Sequence, residues 1–166
     1  MSKLMKKVIF MIDRRTMIGI LVAAIPTAAC SRPAKAPPTI QVYKSPSCGC
    51  CGAWVKRLQA NGFLVTTQEM EDVSAIAASA GVPDRLRSCH TALVDGYFVE
   101  GHVPDGDIRK LLSEWPNARG IAVPGMPVGS PGMEQDGRRE PYDTLLVMRD
   151  GSSRPFVRHN QRVGGK

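Results

Sequence analysis

The chain has 166 residues, 43% of them hydrophobic and 22% charged, enough for one domain of ordinary size and too few for two. Five cysteines are too few for a disulfide-stapled scaffold, and no apolar run reaches the roughly 18–20 residues of a membrane-spanning helix. The net charge of +7 is concentrated before residue 30, where Lys3, Lys6, Lys7, Arg14 and Arg15 stand against one acid, Asp13; with two Trp, three Tyr and four Phe and no basic run among them, nucleic-acid binding is a poor reading.

Residues 1–29 predict an export signal. The basic stretch is followed by the short apolar core Met17–Ile25 and by the small residues Thr27-Ala28-Ala29-Cys30. Asp13-Arg14-Arg15-Thr16 resembles a twin-arginine signal, which would export an already folded protein. Cys30 resembles the lipid-bearing cysteine of a bacterial lipoprotein box, with Thr27 where such boxes prefer Leu; the alternative is a plain signal cleaved nearby. Residues 30–38, rich in Pro, Ala and Lys, read as a tether. The remainder is expected to work in the periplasm, an oxidising compartment, and to meet a membrane only through a lipid on Cys30.

Residues 39–160 predict one α/β domain. Thr39–Tyr43 alternates as a strand, a Cys/Gly cluster follows, and Ala53–Leu58 opens a helix that Asn61-Gly62 stops. Phe63–Gln68 reads as a strand. Asp72 should cap a short helix through Val73, Ile76, Ala77 and Ala80, ended by Gly81 and Pro83. Thr91–Val94 and Tyr97–Glu100 flank Asp95-Gly96, a strong hairpin signal. Pro104 begins a further helix whose Ile108, Leu111, Leu112 and Trp115 share one face, before Pro116 ends it. Gly120–Gly137 then reads as a Gly/Pro/Met loop, and Tyr142–Met148 with Arg154–Val157 as a hairpin extension around Asp150-Gly151; residues 161–166 form a frayed tail. The order β-α-β-α-β-β-α, with cysteines between the first strand and first helix, is that of a thioredoxin-like sheet flanked by helices.

Cys48-Gly49-Cys50-Cys51 holds two patterns. Cys48 and Cys51 form C-x-x-C at a strand-to-helix junction, where a helix N-terminus favours thiolate. Cys50 adds a third sulfur that dithiol exchange does not need, and soft thiolates select Cu(I), Zn or Fe–S. In a thioredoxin-like fold the loop entering the third strand faces this motif, so Cys89 and His90 should lie near it. His102, at the end of the following strand, is a further nitrogen candidate, and Met126 and Met133 offer thioethers suited to Cu(I). The plainer alternatives are a structural disulfide for the cysteines, a backbone hydrogen bond for either histidine, and packing lids for the two methionines. His159 reads as solvated tail, and Arg138-Arg139-Glu140 as a wet loop.

Four blocks resemble one family. Tyr43–Gly52, Ser88–Ala92, Glu100–Pro104 and Val123–Glu134, in this order, are similar to the CopG-type copper-resistance proteins, small periplasmic proteins, over about residues 39–157. The resemblance implies a thioredoxin-like domain binding Cu(I), as more than one ion in a thiolate cluster, and a copper oxidoreductase role. By position it implies Cys48, Cys50, Cys51 and Cys89 as thiolates, His90 or His102 as nitrogen ligands, and a Met-bearing loop at Met126 and Met133. Ordinary thioredoxins hold a cis-proline where Ser88-Cys89-His90 stands here, which favours metal over dithiol exchange. The leading expectation is thus a Cu(I)-binding protein that sequesters or transfers copper, with a copper-transport or redox partner in the envelope. The alternatives are a thiol–disulfide oxidoreductase using Cys48 and Cys51, and a structural zinc site.

Overall fold

The computed structural model describes residues 38–161, which lie within one unit, Lys35–Lys166. The export signal, Cys30, most of the tether and the last five residues lie outside the described residues. Thr39–Lys44 forms β1, whose period-two alternation buries Ile40 and Val42. Then come α1 (Gly49–Ala60), β2 (Leu64–Glu69), α2 (Ser74–Ala80), a single 3-10 turn (Asp84–Leu86), β3 (His90–Val94), β4 (Tyr97–Gly101), α3 (Asp105–Glu114), β5 (Ala118–Val123), β6 (Tyr142–Met148) and β7 (Ser153–His159). The fold is mixed α/β, one seven-stranded sheet in the order β2-β1-β3-β4-β5-β6-β7 with three helices against it. β1 and β2 are parallel, as are β4 and β5; the other neighbours are antiparallel.

Side-chain alternation splits the core between the two faces of the sheet. Trp54, Val55 and Leu58 of α1 and Ile108 and Leu111 of α3 pack with Ile40, Val42, Ala92, Val99 and Ile121. On the opposite face Ala77 of α2, with Val82 and Leu86, packs with Phe98, Ala122 and Val147. Each fully buried Leu, Ile or Val of this kind contributes roughly 1.5–3 kcal/mol before conformational entropy is counted.

Four expectations are corrected. Helix α1 begins at Gly49, not Ala53: the Cys48 carbonyl already accepts the Gly52 N–H at 3.2 Å, so Cys48 is the N-cap residue and Cys50 and Cys51 lie in the first helical turn. Val73 rather than Asp72 is the cap residue of α2, and Asp72 Oδ1 accepts the Ser74 N–H at 2.8 Å from one position further out. Trp115 leaves the core face of α3. It ends the helix with φ 48° and stands 53% exposed, its ring edge-on to Tyr97. The loop expected from Gly120 starts only after Val123, because Ala118–Val123 is a strand. Gly120 is required there, since a Cβ at this position would lie 2.1 Å from the Phe98 carbonyl oxygen. Residues 124–141 then form no helix or strand beyond one isolated bridge, Gln135 with Arg138.

The hairpin turn matches its sequence signal. Asp95 and Gly96 both have positive φ, 46° and 83°, which a two-residue turn of the I′ type requires.

Candidate metal centre

The centre is assembled by strand register. Antiparallel pairing sets Lys44 opposite His90, so the segment leaving β1 toward the cysteines runs beside the segment entering β3. Pairing of Thr91 with Glu100 then brings His102, just beyond β4, to the same end of the sheet. Cys48 is the residue before the first turn of α1, and Cys50 and Cys51 lie within that turn, with no acidic residue to oppose the positive end of the helix.

In this structure Cys48 and Cys51 form a disulfide with their Cα atoms 5.4 Å apart, and Cys50 and Cys89 are free thiols. Cys50 Sγ lies 3.5 Å from Cys48 Sγ, and Cys51 Sγ lies 3.7 Å from the Cys89 carbonyl oxygen. All four sulfurs fall within 4.8 Å of one another. Cys89 also belongs to a second donor group, with His90 and His102, of the same compactness. Its Sγ is 3.2 Å from His102 Nε2 and 3.5 Å from His90 Nδ1. Burial pushes the Cys89 thiol up to about 11, with the neighbouring Cys50 adding to the rise, so it stays protonated at neutral pH without a cation.

Both histidines are fully buried. The Pro131 carbonyl, 2.8 Å away, accepts a hydrogen bond from His102 Nδ1, which fixes the tautomer and turns the Nε2 lone pair toward Cys89. Burial also holds His102 below the usual imidazole range. The His90 ring sits between the Trp54 ring, 4.4 Å away, and the His102 ring at 5.1 Å. Burial, reinforced by His102, drives its pKa down to about 3, so it is a neutral imidazole. Its Nε2 has no hydrogen-bond partner among the described residues, and an unpartnered buried nitrogen is costly unless something binds it.

Several residues that sequence reasoning did not single out hold this arrangement. The Glu100 carboxylate is wholly buried and accepts the Ser88 N–H at 2.6 Å and the Thr91 hydroxyl at 2.8 Å, pinning the segment that carries Cys89. Burial raises Glu100 to about 7. Trp54 anchors α1 by donating from Nε1 to the Val103 carbonyl at 2.8 Å. The 124–141 segment reaches the centre through Pro131 and Gly132. A Cβ on Gly132 would stand 2.8 Å from the Cys50 carbonyl oxygen, so this glycine, at φ 83°, lies directly on the cysteine turn. Met133 follows it, half-buried, while Met126 is 42% exposed near the start of the segment. An acid directly following the apolar run Tyr97–Val99, still within the strand, is the one sequence signal that points to Glu100.

His159, expected in a solvated tail, is instead the last residue of β7. Its Nε2 lies 2.8 Å from Asp107 Oδ2, which also accepts the Thr144 hydroxyl, and its ring stacks on Tyr142 at 4.7 Å. Arg138, Arg139 and Glu140 are exposed.

Two solved structures of copper resistance protein CopG, described as Form 1 and Form 2, are similar to this chain. Each is 47% identical with a TM-score of 0.71 and covers 75% of the chain, and the match spans 98% and 99% of their own lengths, respectively. The chain belongs to the CopG copper-resistance family. A family model described as a protein of unknown function, DUF411, matches residues 86–133. The matched segment includes Cys89, His90, His102, Met126 and Met133 and leaves out Cys48–Cys51. No curated protein matches the chain significantly.

Proposed function

We propose that this protein is an exported copper handler of the periplasm that takes Cu(I) as its cargo on the thiolates of Cys48, Cys50, Cys51 and Cys89, with His90 or His102 as nitrogen ligands. The observation that carries the reading is the sharing of Cys89 between four clustered sulfurs and two buried imidazoles. The donor set fits the ion: sulfur and neutral imidazole suit soft cuprous copper, and His90 Nε2 is buried without a partner. Two donor groups meeting at one sulfur favour more than one ion. Loading requires the Cys48–Cys51 pair as thiols. An external dithiol supplies the two electrons and two protons and leaves as its own disulfide.

The finer parts of the reading have their own support. The sheet order β2-β1-β3-β4, with the cysteine-bearing α1 between β1 and β2 and α3 after β4, suits a thioredoxin-like core to which β5–β7 are added. The segment carrying Pro131, Gly132 and Met133 would limit solvent access, with Met133 directly following the glycine that packs on the cysteine turn and Met126 six residues before that glycine. The basic and apolar pattern of residues 1–29 supports export, with Cys30 as the lipid attachment. The partner would be a copper transporter or redox protein of the envelope.

The decisive experiment is anaerobic titration of the reduced protein with Cu(I) against a competing chelator. Tight uptake that Cys50→Ser weakens supports the reading, and absence of uptake overturns it. One observation favours a second reading. The Cys48–Cys51 C-x-x-C disulfide at the N-terminus of α1 is also the layout of a thiol–disulfide oxidoreductase. That reading predicts disulfide turnover that survives Cys50→Ser and is indifferent to copper. Stoichiometric zinc in the isolated protein would instead favour a structural site.

A further inference from the structure

A cavity of about 280 Å³ opens between residues 129–139 and the β6–β7 hairpin. Of the residues at the cysteine centre, only Pro131 also lines it. Its wall carries three arginines, Arg57, Arg138 and Arg139, against one carboxylate, Glu134. Arg57 is already neutralised, with Glu134 at 3.2 Å and Asp105 at 3.6 Å. Among the described residues the Arg138 side chain donates only to the uncharged Gln135 side chain, at 2.9 Å. Arg139 makes no hydrogen bond or ion pair among the described residues; its stem lies against Gly129, within 3.0 Å of where a Cβ there would stand.

The floor is polar in a matching way. Tyr142 is half-buried, and its hydroxyl has no hydrogen-bond partner among the described residues. The phenol feels Arg57 and Arg139, which favour its ionised form, against Asp107 and Glu134, which oppose it. Burial, with Asp107 adding to it, pushes it up to about 12, so at neutral pH it remains a donor. The stacked His159 contributes rigidity, because its Nε2 is held by Asp107.

These groups discriminate among ligands by charge. A cation would meet two guanidinium groups without counter-charge, and an apolar molecule would leave both, and the phenol, without partners. An oxyanion satisfies them together, since a guanidinium presents paired N–H donors in the spacing of two carboxylate or phosphate oxygens. The volume falls just below the roughly 300–1,000 Å³ of sites for drug-sized ligands, so the occupant is small.

We propose that this cavity binds a small anion through one carboxylate or phosphate group, seated on the Arg139 guanidinium and the Tyr142 hydroxyl with Arg138 at the rim. The site does not depend on the copper reading and is tested in the metal-free full chain.

Nuclear magnetic resonance titrations at low ionic strength, one with succinate and one with inorganic phosphate, decide it. The expected result is saturable shifts of the Tyr142 and His159 ring signals with at least one probe, and the probe bound more tightly identifies the group. Arg139→Gln should weaken that binding by about tenfold, the loss of a charge-assisted hydrogen bond, and Arg139→Lys should weaken it less. Arg85→Gln, on a residue outside the cavity lining whose guanidinium donates to the Gly151 carbonyl, should leave it unchanged. The absence of saturable shifts with both probes, or equal binding by Arg139→Gln and Arg85→Gln, overturns the proposal.

Discussion

Cys89 Sγ stands 3.2 Å from His102 Nε2, and Cys89 is the one residue common to the all-sulfur group and the sulfur–nitrogen group. Strand pairing imposes this contact, because β3 and β4 are hydrogen-bonded neighbours whose register sets the start of one beside the end of the other. Removing that sulfur takes a donor from both groups at once. Cys89→Ser is therefore expected to cause the largest loss of Cu(I) affinity among the single-cysteine variants. The loss should be at least about 100-fold, above the 10–100-fold typical of outer-shell partners. Chelator competition on each variant measures it, and a larger loss in Cys50→Ser would contradict the ranking.

The disulfide makes copper capacity depend on redox state. With Cys48 and Cys51 bonded, alkylation followed by peptide mapping should label Cys50 and Cys89 and spare the pair. Cys89 should react the more slowly, because burial raises its thiol to about 11 and leaves little thiolate. After reduction all four should be labelled, and the amount of Cu(I) bound per chain should rise.

Gly132 tests the covering segment. At φ 83°, with Cys50 and Trp54 backbone atoms 2.8 Å and 3.0 Å from a Cβ, even alanine must push the segment off the cysteine turn. Gly132→Ala should lower stability by about 1–3 kcal/mol, the usual range for overpacking, and should weaken copper retention by disturbing the Pro131 contact with His102. Denaturant unfolding and copper-release rates read the two effects separately.

His159 is structural in β7. His159→Ala removes a partner of Asp107, which is only 5% exposed. A loss of about 1–3 kcal/mol is expected from a buried carboxylate left under-satisfied. Urea unfolding beside the neighbouring exposed Arg158→Ala, for which about 0.5 kcal/mol or less is expected, provides the comparison.

Tyr142 sets an alkaline limit. Its phenol is raised by burial and by Asp107 to about 12, against 10 for the free side chain. Between these values the unfolded chain has lost the proton and the folded one keeps it. The stabilisation is thus full below pH 10 and disappears as the pH rises through 12. Phenolate absorbance should show a late-ionising tyrosine that is missing in Tyr142→Phe, and that variant should lose less stability over this pH interval.

What was readable from the sequence was local or followed from element order. Asp95-Gly96 marked its hairpin because turn chemistry resides in two residues, and the cysteines stood out by spacing alone. The nearness of Cys89 and His90 to them needed only the succession of strands. Other features depend on contacts distant in sequence. Ala118–Val123 lacks the alternation of a strand because Gly120 answers to Phe98 on the neighbouring strand. Glu100 reads as a surface acid until Ser88 and Thr91 are seen around it. His159 reads as tail because its partner, Asp107, is 52 residues away in the chain. Gly132 gave no hint that its fit is against α1.

The placement of Trp54 against His90 equips the molecule with its own optical reporter. The chain has two indoles, one sealed in the core with its ring 4.4 Å from His90 and one, Trp115, about half in water. Their emission should separate into a blue component and a red one. An ion arriving beside His90 would quench the blue component and leave the red as an internal reference, so occupancy can be followed in real time without a dye.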